Sequence, residues 1–311
     1  MEFFKKQTKI DFMGFRHFTG VLSIVLWTIS IVLLCTKGLN FGLDFTGGTQ
    51  LEVRFKTAVA SDEIRDQLEN AGLHGARVQQ YGSTQDILIR IPNSKSSDVE
   101  EQKKVAENVK EALAPFEKDM EIRRTEFVGS EVGEQLFEQG GIAVLVAILA
   151  TMVYIALRFE YRLAVSAAVG LIHDAILILG FFSLFDIEFD LATMASVLAV
   201  LGYSLNDTIV VFDRVRENFR KVRKGSPIEI MNLSINQTLS RTIMTSWLTM
   251  LVVLALLFFG SESLFGFSMA FFVGIIIGTF SSIYVSGALA LWLGLTRTDL
   301  MPKAKVVDDR P

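Results

Sequence analysis

The sequence predicts an α-helical membrane protein: six transmembrane helices carrying one small α+β domain of ferredoxin-like order outside the bilayer. Three observations predict it. Half of the 311 residues are hydrophobic while 21% are charged, so apolar spans must be segregated from at least one ordinary water-exposed region. Six runs are long and apolar enough to cross a bilayer. Lys and Arg collect in one set of connections between the runs and are missing from the two short connections of the other set, as oriented spans require.

Residues 1–18 are a basic leader of mixed polarity with Lys5, Lys6, Lys9 and Arg16, followed by the apolar run Val21–Leu34. No small-x-small cleavage site ends that run, so residues 19–35 read as a retained first span and signal anchor. Cys35 follows Leu33-Leu34, a faint echo of a lipoprotein box that lacks the small residues of one, and reads as an ordinary helix-end cysteine. A single cysteine excludes an internal disulfide framework and a four-thiolate metal site. No cofactor motif is present. The net charge of -4 comes without a basic domain or aromatic-basic interleaving, which argues against nucleic acid as a partner.

Residues 36–138 carry half of the charged residues in a third of the length and form the domain outside the bilayer. Thr49–Phe55 alternates polar and apolar like a half-buried strand. Ser61–Leu68 opens with a Ser cap and early acids, places Ile64 and Leu68 four apart, and stops before Gly72. Two strands follow, around Ala76–Tyr81 and Ile87–Ile91, with Gly82-Ser83 as the turn signal. A second helix from about Ser97 to Leu113 ends at Pro115, and Glu121–Phe127 is a last strand. The order βαββαβ is the split βαβ arrangement. His74, alone beside glycines, reads as a surface turn residue.

Residues 139–295 return to the membrane in five runs: Gly141–Leu157, Leu163–Phe185, Leu191–Phe212, Ile243–Phe259 and Phe267–Leu293. Arg158 and Arg162 flank one connection, and a basic loop at 213–242 holds Arg214, Arg216, Arg220, Lys221, Arg223, Lys224 and Arg241. The connections at 186–190 and 260–264 hold no Lys or Arg. The positive-inside rule therefore places both termini, and the tail at 296–311, in the cytoplasm, with residues 36–138 on the far side.

The fourth run contains a carboxylate. Leu191–Phe212 is about 22 residues, long enough at about 1.5 Å each to cross a core of about 30 Å, and Asp207 lies roughly 9 Å short of the Asp213-Arg214 end. An acid near a helix centre costs about 2.5–3.5 kcal/mol to insert, so Asp207 reads first as a relay or pathway residue and otherwise as a hydrogen-bonded tether between helices. In the third run His173-Asp174 stands near the midplane. A buried His-Asp pair can pass protons because imidazole titrates near neutral pH; it can equally be a packing hydrogen bond, and the residues leave both readings open. In the fifth run Thr238, Arg241, Thr245 and Thr249 form a stripe facing protein or water, with Arg241 at the cytoplasmic edge, where snorkelling to headgroups is the alternative. Small residues supply contact ridges: Ala195, Ala199, Gly202 and Asn206 on the fourth helix, Gly274 and Gly278 on the sixth.

Four motifs carry a family resemblance. Phe41–Thr49 (FGLDFTGGT), Ile172–Ala175, Gly202–Asn218 (GYSLNDTIVVFDRVREN) and Arg241–Ser246 together resemble the SecF family, the smaller membrane subunits of bacterial SecDF protein-export complexes, over nearly the whole chain. The Gly-rich motif alone is weak: it lacks the Gly-Lys-Ser/Thr of a phosphate loop and shapes a turn. The resemblance implies half of an RND-type bundle in the bacterial inner membrane, residues 36–138 in the periplasm, and a separate SecD partner supplying six further spans, since the chain carries no SecD half. It also implies association with SecYEG and YajC, contact with a translocating polypeptide and membrane lipid, and export driven by the proton-motive force. Asp207 would carry protons beside Asn206, with Arg241 responding to them. Nothing indicates an enzyme. Two other functions compete: an RND-type exporter half for small molecules or lipids, and a non-transporting membrane scaffold in which Asp207 and Asp174 are structural.

Overall fold

A computed structural model describes residues 8–81, 83–92, 99–222 and 224–300. Lys5 and Lys6, Gly82 of the expected turn, the helix start at Ser97 and the tail from residue 301 lie outside the described residues.

In chain order the elements are α1 (Arg16–Thr36), β1 (Asn40–Phe41), α2 (Leu43–Thr46), β2 (Gly48–Phe55), α3 (Ser61–Asn70), β3 (Arg77–Tyr81), β4 (Ser83–Ile91), α4 (Val99–Ala112) and β5 (Met120–Val128). Then follow α5 (Ser130–Arg158), α6 (Tyr161–Phe185), β6 (Glu188–Phe189), α7 (Leu191–Lys221), α8 (Pro227–Phe259), α9 (Phe265–Phe280), α10 (Ser286–Trp292) and α11 (Arg297–Leu300). A π turn at Ser281–Val285 joins α9 to α10 without a break in the run. Among the described residues six helical runs are long and apolar enough to cross a membrane.

The domain is a four-stranded sheet in the order β3-β4-β2-β5, every pair antiparallel. Its period-two pattern decides what is buried: Leu51, Val53 and Phe55 of β2 face inward with Ile87 and Ile89 of β4, because alternate side chains of a strand share a face. The four-residue spacing of Ile64 and Leu68 brings both to one side of α3, where each is fully buried on that sheet. Pro115 falls in a 3-10 turn just past α4, which it cannot continue. The expected Ser61 cap is not formed. Ser61 is the first helical residue, Ala60 holds the cap position, and no side chain caps it; Asp62 and Glu63 supply negative charge to the first turn instead.

The stretch at 213–242 is not a loop. α7 continues to Lys221 and α8 begins at Pro227, so both helices project past the apolar runs and turn sharply between them. The cause is amphipathic spacing: Val215 and Phe219 on α7, and Ile230, Met231, Ile235 and Leu239 on α8, bury one shared stripe. A capping box closes the start of α8, with Ser226 Oγ accepting from Glu229 N and Glu229 accepting from Ser226 N. The described end of the leader is fixed to this projection. Ile10 N donates to Asn236 Oδ1 at 2.9 Å, and Met13 N donates to Asn232 Oδ1 at 2.9 Å.

Candidate functional site

The bundle buries its polar residues where α6, α7 and α9 meet. Close approach there depends on absent side chains. A Cβ built on Gly278 would stand 2.9 Å from Ser204 Cβ, and one on Gly274 would overlap Val200, so α9 lies against α7 as small-residue ridges permit. The same Ser204 faces α6 as well: its Oγ donates to Asp174 Oδ2 at 2.5 Å, and Asp174 Oδ1 lies 3.1 Å from His173 Nδ1. Asp174 is fully enclosed, and His173 Nε2 is enclosed with no hydrogen-bond partner among the described residues.

Asp207 stands one turn beyond Ser204 on the same helix, a spacing that puts the two on neighbouring positions of one face. Its side chain is 2% exposed, and Oδ2 is buried with no hydrogen-bond partner among the described residues. Arg241 of α8 is exposed and close enough for its charge to act on Asp207, yet the two form no ion pair. The threonines of its stripe turn inward on their own helix: Thr245 Oγ1 donates to Arg241 O at 3.0 Å, and Thr249 Oγ1 donates to Thr245 O at 2.8 Å. The expected residues thus divide. His173 and Asp174 sit together, Gly274 and Gly278 set the helix approach, and Asp207 is buried without a partner. Gly202 and Asn206 point away from all of these: both are exposed, and a Cβ on Gly202 would meet nothing within 4 Å, so Gly202 packs no helix among the described residues.

Two further features were not read from the sequence. Ser204 is the bridge between α6 and α7, and Tyr203 Oη, Ser246 Oγ and Thr279 Oγ1 link α7, α8 and α9 at 3.1 and 2.9 Å. The Gly-rich motif is a joint between the domain and α7. β1 pairs in parallel with β6, the two residues that precede Asp190 and α7, and Gly42 N donates to Phe189 O at 2.9 Å. Asp44 Oδ2 accepts from Leu191 N at 3.0 Å, at the first turn of α7, where a carboxylate also suits the helix dipole. Gly47 and Gly48 have positive φ and pack on Ser130 and Ile91 backbone atoms, which leaves no room for a side chain. From the sheet, Arg90 of β4 pairs with Glu188 of β6 and donates to Gln50 Oε1 at 2.8 Å, and Arg124 of β5 donates to Ser263 Oγ at 3.1 Å.

Comparison with known proteins matches the same regions. Residues 108–296 match the family model described as protein export membrane protein SecD/SecF, C-terminal, and residues 32–59 match the SecD/SecF GG motif. The chain is 48% identical over 304 residues to protein translocase subunit SecF of Pseudomonas aeruginosa, covering 97% of this chain and 98% of that one. It is 46% identical to the SecF of Vibrio alginolyticus, over 96% and 94% of the two chains. The crystal structure of SecDF from Thermus thermophilus, described as a translocon-associated membrane protein, superposes with a TM-score of 0.81 at 35% identity; this match covers 92% of this chain and 39% of that one. A six-span bundle, a buried polar centre at the fourth span and these full-length likenesses give one conclusion: the chain belongs to the SecF family of bacterial inner-membrane protein translocase subunits.

Proposed function

We propose that this chain carries protons for protein export: joined to a SecD partner beside the SecYEG channel and YajC, it uses the proton-motive force to move an outer domain that holds or pulls the emerging polypeptide. Residues 36–138 are then periplasmic and both termini cytoplasmic. The single observation that supports this reading is Asp207, an acid in a spanning helix that is 2% exposed and has a carboxylate oxygen with no partner. A carboxylate buried only to tether helices would satisfy its hydrogen bonds; one that must gain and lose a proton keeps a lone pair free.

The energetics suffice. Each proton moving down about 100 mV releases about 2.3 kcal/mol, and a unit of pH difference adds about 1.4, enough to shift a two-state element with a gap of a few kcal/mol. Protonation of Asp207 removes its attraction to Arg241, and α7 repacks against α8 and α9. Because β6 leads directly into α7 and is tied to β1, Asp44 and Arg90, a shift of α7 is passed to the sheet. Bistable packing of this kind converts small local shifts into domain motion.

The test is export of a secreted protein in cells whose only copy is Asp207→Asn, scored with the membrane abundance of the variant and its partner. The amide still hydrogen-bonds but carries no proton, so export fails while the complex assembles. Normal export would reduce Asp207 to a packing residue and establish the scaffold reading in its place.

A further inference from the structure

The pair His173 and Asp174 has no place in the mechanism above, and its geometry fits a fixed point better than a proton path. Both oxygens of Asp174 are engaged, Oδ2 by Ser204 Oγ at 2.5 Å and Oδ1 by His173 Nδ1 at 3.1 Å, whereas Asp207 keeps Oδ2 free. The far nitrogen, His173 Nε2, is enclosed with no partner among the described residues, so a proton passed to the imidazole meets no onward acceptor there. We propose, resting on the proton-carrying reading of Asp207, that Ser204 is its positioning residue. Pinned through Asp174 to α6, Ser204 sets the rotation of α7, so that the two helices turn as one unit and the Asp207 carboxylate is kept from pairing.

Spacing makes the pin effective. Ser204 and Asp207 are three residues apart, about 60° around α7 and about 4.5 Å along it, so a rotation that breaks the Ser204 bond swings Asp207 with it. The bond is deep and short: Asp174 is fully enclosed, Ser204 is 2% exposed, and 2.5 Å is at the strong end for a hydroxyl donor. Position 204 admits little else. A Cβ on Gly278 of α9 would stand 2.9 Å from Ser204 Cβ, so the residue must be small enough for α9 and still carry a donor for α6. Serine does both.

The surroundings of Asp207 show why its rotation matters. Arg241 of α8 is the charge that acts on it, without an ion pair. α9 holds no titratable residue over Phe265–Phe280, Tyr284 of the π turn packs on Phe12 and Phe280, and Arg158 of α5 is taken by Asp213. An α7 free to turn lets Asp207 close on Arg241, and an ion pair there fills the lone pair that a proton needs. With α6 and α7 pinned together, movement on protonation is left to the surface where Gly274 and Gly278 meet Val200 and Ser204.

The test uses the full chain with its SecD partner. Ser204→Ala keeps the size and removes the donor, so export in cells with this copy alone should fall about tenfold while the complex assembles. Asp174→Asn keeps a side-chain carbonyl that accepts from Ser204 and carries no proton, so export should stay within about threefold of wild type; Asp174→Leu, without the acceptor, should fall as Ser204→Ala does. Rotation is read separately, in a Cys35→Ser chain carrying Asp207→Cys, as the rate at which a membrane-permeant maleimide reaches the buried thiol. Adding Ser204→Ala should speed that reaction about tenfold, and adding Asp174→Asn should leave it within about twofold. Unchanged labelling or normal export in Ser204→Ala overturns the pin. Loss of export in an assembled Asp174→Asn complex overturns it too and makes Asp174 a proton carrier. Normal export by Asp207→Asn, by contrast, overturns the proton-carrying reading, and the labelling rates still decide the pin by themselves.

Discussion

The joint between the domain and α7 can be weakened without touching the bundle. Glu188→Gln keeps the side chain's shape and removes the charge that faces Arg90. Arg90 is 8% exposed, and removing one partner of a fully buried pair costs about 3–5 kcal/mol. The Glu188 side chain is 26% exposed, so water already screens part of the attraction, and the bond from Arg90 to Gln50 survives. The expected cost is therefore about 1.5–3 kcal/mol, concentrated on separation of β6 from the sheet. Hydrogen exchange on the reconstituted complex reads this at the Gly42 amide, which donates to Phe189 O. Local opening made easier by that amount accelerates exchange roughly ten- to hundredfold.

Replacing both partners, Arg90→Met with Glu188→Leu, removes two charges, an exchange that is often neutral for the pair itself, but it also takes the donor from Gln50 Oε1, at about 1–3 kcal/mol. Protection at Gly42 should return in part in the double variant, limited by the unpaired Gln50, and export with it, since on this reading the joint works by attachment rather than by charge. An exchange rate at Gly42 within about twofold of wild type in Glu188→Gln would refute the reasoning, because the ion pair would then not hold β6 in place.

Two further outcomes follow from the geometry. Gly278→Ala puts a methyl group 2.9 Å from Ser204 Cβ; forcing α9 from α7 should cost about 1–3 kcal/mol, seen as a lowered thermal midpoint of the detergent-solubilised chain, whereas Gly202→Ala, which meets nothing among the described residues, should not lower that midpoint. In the domain, the Arg54 guanidinium bonded to Asp86, aided by Ser83, holds the Asp86 carboxyl down at about 2. A depressed carboxylate stabilises the fold above its unfolded value near 4 and stops doing so as pH falls through about 2; with Arg54 37% exposed, Asp86→Asn should cost about 1–2 kcal/mol at pH 7. That difference from wild type should close between pH 4 and pH 2, and a gap that stays constant over this range would count against the assignment.

What the sequence made legible was whatever rests on one segment alone. The spans and the alternation of β2 are patterns within a single run, and Asp207 stands out because an acid in a spanning helix is costly wherever its neighbours are. Ser204 could not be singled out in the same way. A serine in a membrane helix is ordinary, and its role depends on which carboxylate the glycines of α9 leave it facing. The two-residue strands β1 and β6 are too short to show a period and are set by each other. The projecting helices around Gly225 had a readable period in Val215, Phe219, Ile230 and Met231; the concentration of Lys and Arg obscured it, since basic residues on a helix's outer face look like loop residues when they are counted and not placed.

The outward ridge of α7 is the most instructive departure. Ala195, Ala199, Gly202 and Asn206 share one exposed face, and among the described residues no element fills it. An asparagine amide presented to hydrocarbon at that depth is as poorly placed as a buried polar group without a partner, while small residues in a row are what lets a second helix come close. On the proposed reading with a SecD partner, that ridge is where its helix packs. Asp207 lies on the neighbouring stripe, so the partner closes the space beside the carboxylate and completes the proton path. On that same reading the ridge packs no helix among the described residues because it faces a second chain, and a pattern of small residues specifies close approach without specifying the neighbour.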